Sequence, residues 1–363
     1  MPNLPRKPIL LVSRGLDPVG TGRQIELVAA GLLAAGRDVH VAVTTTGGSL
    51  AMRLDAAGCT VHLVGRRPVV DPAAALRLAT LVTRLRPAVV TAWGRSQVAL
   101  LPAVRLAAPA VRLAGWLARP VRGGLCAAGL RRADRVVAAS PGAAASCRRL
   151  GIAAGRIERI DPGIAPPRGT GLSRATIGAG LGLDPARHWT LCVAPLEADA
   201  RLDRLVWAID QLGVVRKDLQ HVLVGAGPMQ RRLLRRARVQ EVTDRLVVVP
   251  SCGLLPDLLG QVRLVWQSGT VALGGAVLDA MAGGVPVVAV ASDAARQFVT
   301  DGETGWIAPP LPESEFPRRA FKILEDEPLA GRMATAAAAR AAECFPAAVS
   351  VAAHVALHER LAS

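Results

Sequence analysis

The chain contains no tyrosine and only four phenylalanines among its 363 residues. Stacking platforms for nucleic-acid bases are therefore scarce, and no basic run alternates with aromatics, so a nucleic-acid partner is not expected. Its six cysteines, Cys59, Cys126, Cys147, Cys192, Cys252 and Cys344, lie far apart, with no CxxC pair and no Cys/His cluster. That spacing excludes a zinc motif and suggests small buried hydrophobes in a reducing compartment. No metal site is expected from the histidines either: His354 and His358 share a helical face but lack a third ligand. Long apolar runs are missing as well. The ILLV segment near the N-terminus is too short for a signal-peptide core, and no stretch suits a membrane span. A cytoplasmic protein is expected, with peripheral contact at the inner membrane surface left open.

What is present is apolar and cationic. Hydrophobic residues make up 51% of the chain and charged residues 20%, enough to build large cores. The formal net charge of +16 comes almost entirely from arginines scattered through Ala/Leu/Val-rich stretches, which reads as a composition bias or as attraction for an anionic ligand or lipid surface. The length predicts two domains.

Both halves alternate short apolar runs with amphipathic stretches, the pattern of a parallel sheet covered on both faces. In the first half the expected strands begin at Pro8–Ser13, Val39–Thr44 and Thr60–Val64, and continue at Ala88–Ala92, Ala110–Ala114, Val136–Ala139 and Ile157–Ile160. Proline and glycine then cluster at Asp161–Thr170, which marks a connection. After a short segment to Arg187 the alternation restarts with strands at Thr190–Val193, Gln220–Val224, Leu246–Val249, Leu264–Trp266 and Val285–Val290. Helices Pro317–Leu324, Pro328–Glu343 and Pro346–Leu361 close the chain. The expected class is α/β, with two Rossmann-like doubly wound domains at 1–165 and 166–345 and a last helix at 346–363.

In open parallel sheets, ligands sit beyond the carboxyl ends of the strands, where amides at helix starts attract anions. Three glycine turns fall at such places: Gly20/Gly22, Gly225/Gly227 and Gly274/Gly275. Each is equally well read as a tight strand-to-helix turn. Their spacing matches neither GxGxxG with a later acid nor GxxxxGK[ST], so a dinucleotide cofactor and a P-loop are not expected.

The segments VGAGPMQRRLLRRA (Val224–Ala237), LPDLLG (Leu255–Gly260), LGGAVLDAMAGGVPVVA (Leu273–Ala289) and FVTDGETGWIAPP (Phe298–Pro310) follow one another in an order that resembles the family-4-like GT-B glycosyltransferases. Gly20–Val43, ADRVVAAS (Ala133–Ser140) and RIERIDPGI (Arg156–Ile164) resemble the family's first half, and the last helix its returning segment. The resemblance implies transfer of a sugar from a nucleotide-diphosphate donor, held by the second domain, to a glycan, lipid-linked or small-molecule acceptor facing the first. Transfer in such a group usually proceeds with retention and without a metal or other cofactor, so protein cations and helix-start amides must offset the charge on the leaving diphosphate.

On this resemblance the donor residues are Gly225, Gly227, Arg201, Gly274, Gly275 and Asp279, with Asp279 on the ribose. Gly20, Thr21, Gly22 and Arg23 form the loop facing diphosphate or acceptor. Trp93 and Trp116 either stack on a sugar or fill space. Several charged positions of the pattern are replaced. Val271 stands where the sugar-holding acid is expected, Pro195 and Ala200 where the diphosphate cations are, Gly115 and Trp116 or Trp93 where histidines are, and Gln297 at a further acid. Arg201, Arg23 and Arg95 are the substitutes at hand. No catalytic residue is singled out. The alternative is a non-catalytic relative that binds nucleotide or glycan or supports a partner enzyme; an epimerase on the same fold would need carboxylates and histidines that are missing here.

Overall fold

The structure is a computed structural model, and it describes residues 7–16, 18–45, 48, 50–66, 73–167, 169–270, 273 and 276–363. The chain divides into two compact units, Met1–Gly163 with Ala347–Ser363, and Ile164–Pro346.

The first unit is built on a seven-stranded parallel sheet. Its strands are β1 (Ile9–Ser13), β2 (Val39–Val43), β3 (Thr60–Leu63), β4 (Val89–Trp93), β5 (Arg112–Leu117), β6 (Arg135–Ala138) and β7 (Ile157–Arg159), in the order β3-β2-β1-β4-β5-β6-β7. Chain order reverses at the β1/β4 boundary. β1 and β4 are buried along their whole length, as strands covered on both faces must be. Each buried Val, Leu or Ile in them contributes about 1.5–3 kcal/mol.

The helix Gly20–Ala34 covers one face, and the terminal helix Ala347–Ala362 lies against it. Glycine makes that approach feasible: a Cβ at Gly31 would meet the Val351 side chain at 2.2 Å. Arg37 and Glu359 pin the terminal helix through two hydrogen bonds of 2.6 Å each.

The second unit carries a six-stranded parallel sheet. β8 (His188–Val193), β9 (Leu219–Val224), β10 (Leu246–Val249), β11 (Val262–Gln267), β12 (Val287–Val290) and β13 (Trp306–Ala308) run in the order β10-β9-β8-β11-β12-β13. Here the reversal falls between β8 and β11. Thr190, His221 and Trp266 form a buried polar knot in this sheet. Trp266 Nε1 donates to the Thr190 hydroxyl at 2.9 Å, and that hydroxyl sits 2.6 Å from His221 Nδ1. Burial holds His221 neutral, its pKa pushed down to about 3, with the charge of Arg245 acting the same way.

Several expectations are refined. The strand expected at Ala110–Ala114 runs from Arg112 to Leu117, so Gly115 and Trp116 lie inside it and not after it. Pro141–Arg149 and Arg174–Leu181 are helices that the apolar pattern does not reveal. Five of the cysteines are buried, whereas Cys344, at the end of its helix, is exposed.

Candidate functional site

In the second unit, two loops leave the sheet at the β8/β11 reversal, and the chain stitches them together. The loop after β8 contains a single 3-10 turn, Ala198–Ala200. Its Asp199 carbonyl accepts from the Thr270 amide at 2.8 Å, and its Ala200 carbonyl from the Ser268 hydroxyl at 2.7 Å. Gly269 fits because a Cβ there would lie 2.4 Å from the Asp199 oxygen.

Arg204, on the helix Leu202–Val215, braces the same place. Only 6% exposed, it donates to the Ser268 carbonyl at 3.4 Å and to the Pro310 carbonyl at 3.2 Å. Nothing in the sequence reading singled it out. The signal available was an arginine in the first turn of a largely apolar helix, three residues after Arg201.

Arg201 sits at the carboxyl edge in a left-handed conformation, φ 46°, which closes the turn. Its side chain lies 3.3 Å from Asp203 and 3.9 Å from Glu313. Burial alone would raise the Asp203 pKa, but the Arg201 hydrogen bond and charge outweigh it and hold the carboxyl below its ordinary value. Of the two positions where the resemblance places diphosphate cations, Pro195 is exposed at this edge and Ala200 is buried.

The Gly225/Gly227 turn follows β9 and packs on the loop after β8. A Cβ at Gly225 would lie 1.9 Å from the Ala194 oxygen, and one at Gly227 2.6 Å from the Leu196 oxygen. The Gly225 amide donates to Val249 and the Met229 amide to Leu196, at 2.8 and 2.9 Å. These two amides are thus used within the protein, and the glycines bring neighbouring loops together at the edge. Asp279 lies in the first turn of the helix Val277–Ala282 and is 2% exposed. Val271, Gly274 and Gly275 lie outside the described residues.

In the first unit, Gly20 opens its helix at φ 54°, with Thr21 half-buried and Gly22 buried. Arg23 reaches back to the Pro18 carbonyl at 3.1 Å and lies 3.6 Å from Glu26. Three neighbouring strands each deliver an arginine to the carboxyl edge: Arg14 directly after β1, Arg95 two residues after β4, and Arg119 two residues after β5. Arg14 and Arg95 are exposed. Gln97 donates to the Thr44 hydroxyl at 2.9 Å, tying the loops after β4 and β2.

Trp93 and Trp116 are each 1% exposed, and their rings stack at 4.6 Å between centroids, with His354 at 5.5 Å from Trp93. They fill space; the alternative of stacking on a sugar is corrected, because core packing takes their faces. Gly115 is likewise internal, a Cβ there meeting Val98 and Leu130 side chains at 3.3 and 3.4 Å. Among the described residues, no group of three His, Cys, Asp or Glu side chains converges as a metal site. No described helix is long and apolar enough to cross a membrane.

A family model described as Glycosyltransferase Family 4 matches residues 18–168, and one described as Glycosyl transferases group 1 matches residues 174–340. The chain belongs to the family-4-like GT-B glycosyltransferases, and its two parallel-sheet units are the Rossmann-like domains of that fold. It is similar to HepE of Anabaena, solved with UDP and glucose, at 16% identity and a TM-score of 0.79, covering 98% of this chain and 100% of that one. Sucrose-phosphate synthase of Thermosynechococcus elongatus is similar at 19% identity and a TM-score of 0.77, covering 98% and 99%. The alpha-D-kanosaminyltransferase of Streptomyces kanamyceticus is 28% identical over 168 residues. That match spans 46% of this chain and 43% of the relative, less than half of each.

Proposed function

We propose that this protein transfers a sugar from a nucleotide-diphosphate donor to a glycan, lipid-linked or small-molecule acceptor. The single observation that carries the reading is the succession of the two family models along residues 18–168 and 174–340, one on each Rossmann-like unit. The donor is assigned to the carboxyl edge of the second unit, at Gly225, Gly227, Arg201 and Asp279, with Gly274 and Gly275. The acceptor is assigned to the edge of the first, at Gly20, Thr21, Gly22 and Arg23. HepE, similar in fold, binds UDP and glucose, which supports a uridine nucleotide as the first donor to test. Transfer proceeds with retention and without metal in this reading, so arginines and backbone amides carry the diphosphate charge. The protein works in the cytoplasm, where its arginine-rich surface allows peripheral contact with anionic lipid.

Release of nucleoside diphosphate from UDP-, GDP- and ADP-sugars, measured with and without candidate acceptors, tests the proposal. Turnover of one donor that falls about 10–100-fold on Asp279→Ala is the expected result, the loss of one or two charge-assisted bonds. No release from any donor counts against it.

A second reading, binding without catalysis, is favoured by one specific observation. Pro195 and Ala200 supply no cation, and Arg201 already faces Asp203 and Glu313. Calorimetric binding of UDP, GDP or ADP with no turnover selects this second reading; turnover eliminates it.

A further inference from the structure

At the end of the first unit's sheet opposite its own carboxyl edge, the amino ends of β5 and β6 frame a cavity of about 520 Å³. Six arginines line it: Arg112 opening β5, Arg135 opening β6, Arg131 and Arg132 ending the helix Gly124–Arg132, Arg156 ending a 3-10 turn, and Arg360 on the terminal helix. Two carboxylates answer them. Asp134 pairs with Arg105 at 2.7 Å and lies 3.7 Å from Arg112, while Glu158 accepts from Arg360 at 2.8 Å. Arg156 is spent on main-chain carbonyls at the helix end, Leu130 at 3.0 Å and Arg131 at 3.1 Å. Its Nε is buried without a hydrogen-bond partner. Arg135 reaches the Asp134 carbonyl at 3.1 Å. Arg131 and Arg132 are exposed and make no ion pair among the described residues.

So many guanidinium groups around one concavity repel each other, and the helix C-terminus beside them offsets only part of that charge. An anion with several oxygens relieves the repulsion, and the planar guanidinium fork matches phosphate bidentately. We infer that this cavity is a binding site for a small soluble anion carrying two or more phosphate groups, lined by none of the residues assigned to donor or acceptor. The concave shape favours such an occupant over a bilayer. Its apolar lining is limited to Ala133 and Leu361, which offers no anchor to lipid, and no aromatic ring is there to stack a base.

The site joins elements from both ends of the unit's sequence, with Arg360 on the terminal helix and Arg112 and Arg135 on the sheet. Occupancy should therefore raise the melting temperature as well as give heat on titration.

The test is calorimetric and thermal titration of the full chain with inorganic tripolyphosphate at low ionic strength. Saturable binding of one anion per chain is expected, with a rise in Tm. An Arg131→Gln/Arg132→Gln variant should weaken it at least tenfold, and so should Arg360→Gln, with circular dichroism unchanged. Asp279→Ala and Arg201→Ala, at the donor edge, should leave it unaltered. Unsaturable uptake of many anions per chain overturns the proposal, since that is what a diffuse net charge produces. So does binding that survives all three arginine changes or that follows the donor-edge variants. A parallel arm with phosphatidylglycerol vesicles separates the sources. Vesicle binding that needs Arg131 and Arg132, without tripolyphosphate binding, replaces the soluble anion with a membrane surface and overturns the proposal as stated.

Discussion

Gly225 lies so close to Ala194 that a Cβ on it would fall 1.9 Å from the Ala194 carbonyl oxygen. The contact joins the end of β9 to the end of β8, beside the reversal of strand order where an open sheet takes its ligand. Because the obstacle is backbone, Gly225→Ala must push the two loops apart. The expected cost is about 1–3 kcal/mol, read as a lower Tm, together with weaker nucleotide binding in a calorimetric titration. An unchanged Tm would show that the loops are not held as described.

Arg204 should behave as a brace for the neighbouring loop. Replacing it with methionine keeps most of the buried bulk but strands the Ser268 and Pro310 carbonyls that it serves. A loss of about 1–3 kcal/mol is expected, and Arg204→Lys should not restore it, since one ammonium group cannot reproduce the fork toward two separate acceptors. Denaturant melts of both variants decide this; full rescue by lysine would mean that charge alone matters.

The sheet architecture was legible because its signal is redundant. Runs such as ILLV in β1 and VVAV in β12 are bounded by glycine and proline and separated by helical stretches, so several features agree on each element. The unexpected helices Pro141–Arg149 and Arg174–Leu181 carry their signal in caps instead. Ser140 accepts from the Ala143 amide ahead of Pro141. Ser173 accepts from the Thr176 amide, and Gly182 ends that helix at φ 71°. Their sequences, GAAAS and ATIGAG, lack the large apolar stripe that periodicity needs. At the candidate site, the glycine turns were visible but their reason was not. A loop's closeness to its neighbour is a tertiary property, and so is the burial of Trp93, Trp116 and Arg204. Trp116 ends up in the core because β5 runs on to Leu117 through Gly115, a residue that in sequence reads as a strand end.

Arg37 and Glu359 form a bidentate link to the terminal helix. The Arg37 side chain is 8% exposed and that of Glu359 41%, so water screens the pair from one side only. Glu359→Gln keeps the shape but loses the bidentate charge, and should cost about 1–2 kcal/mol. Arg37→Met should cost a similar amount, and the double variant clearly less than the sum of the two. Additive losses in that cycle would mean that the two residues do not act as a pair.

The same helix carries the basis for a pH dependence. His354 Nδ1 donates to the Ser350 carbonyl at 2.9 Å and His358 Nδ1 to the His354 carbonyl at 2.7 Å. His358 Nε2 is therefore left to accept from the Thr91 hydroxyl at 2.9 Å. Burial disfavours the imidazolium in both residues. It pushes His354 down to about 4, against the raising effect of its carbonyl, and lowers His358 as well. Below the ordinary histidine pKa of 6.5, the unfolded chain takes up protons that the folded one refuses. Stability is thus full above about pH 6.5 and falls as the pH drops below it, for His354 by roughly 1–3 kcal/mol toward pH 4. His221 in the second unit adds a loss in the same window, since its pKa is also lowered. Tm measured from pH 7.5 to 4.5 should decline in the native chain and decline less steeply in His354→Gln, which removes one of the buried imidazoles that the unfolded chain charges. If the two profiles run parallel through that window, the neutral, buried His354 is not what makes the fold acid-sensitive.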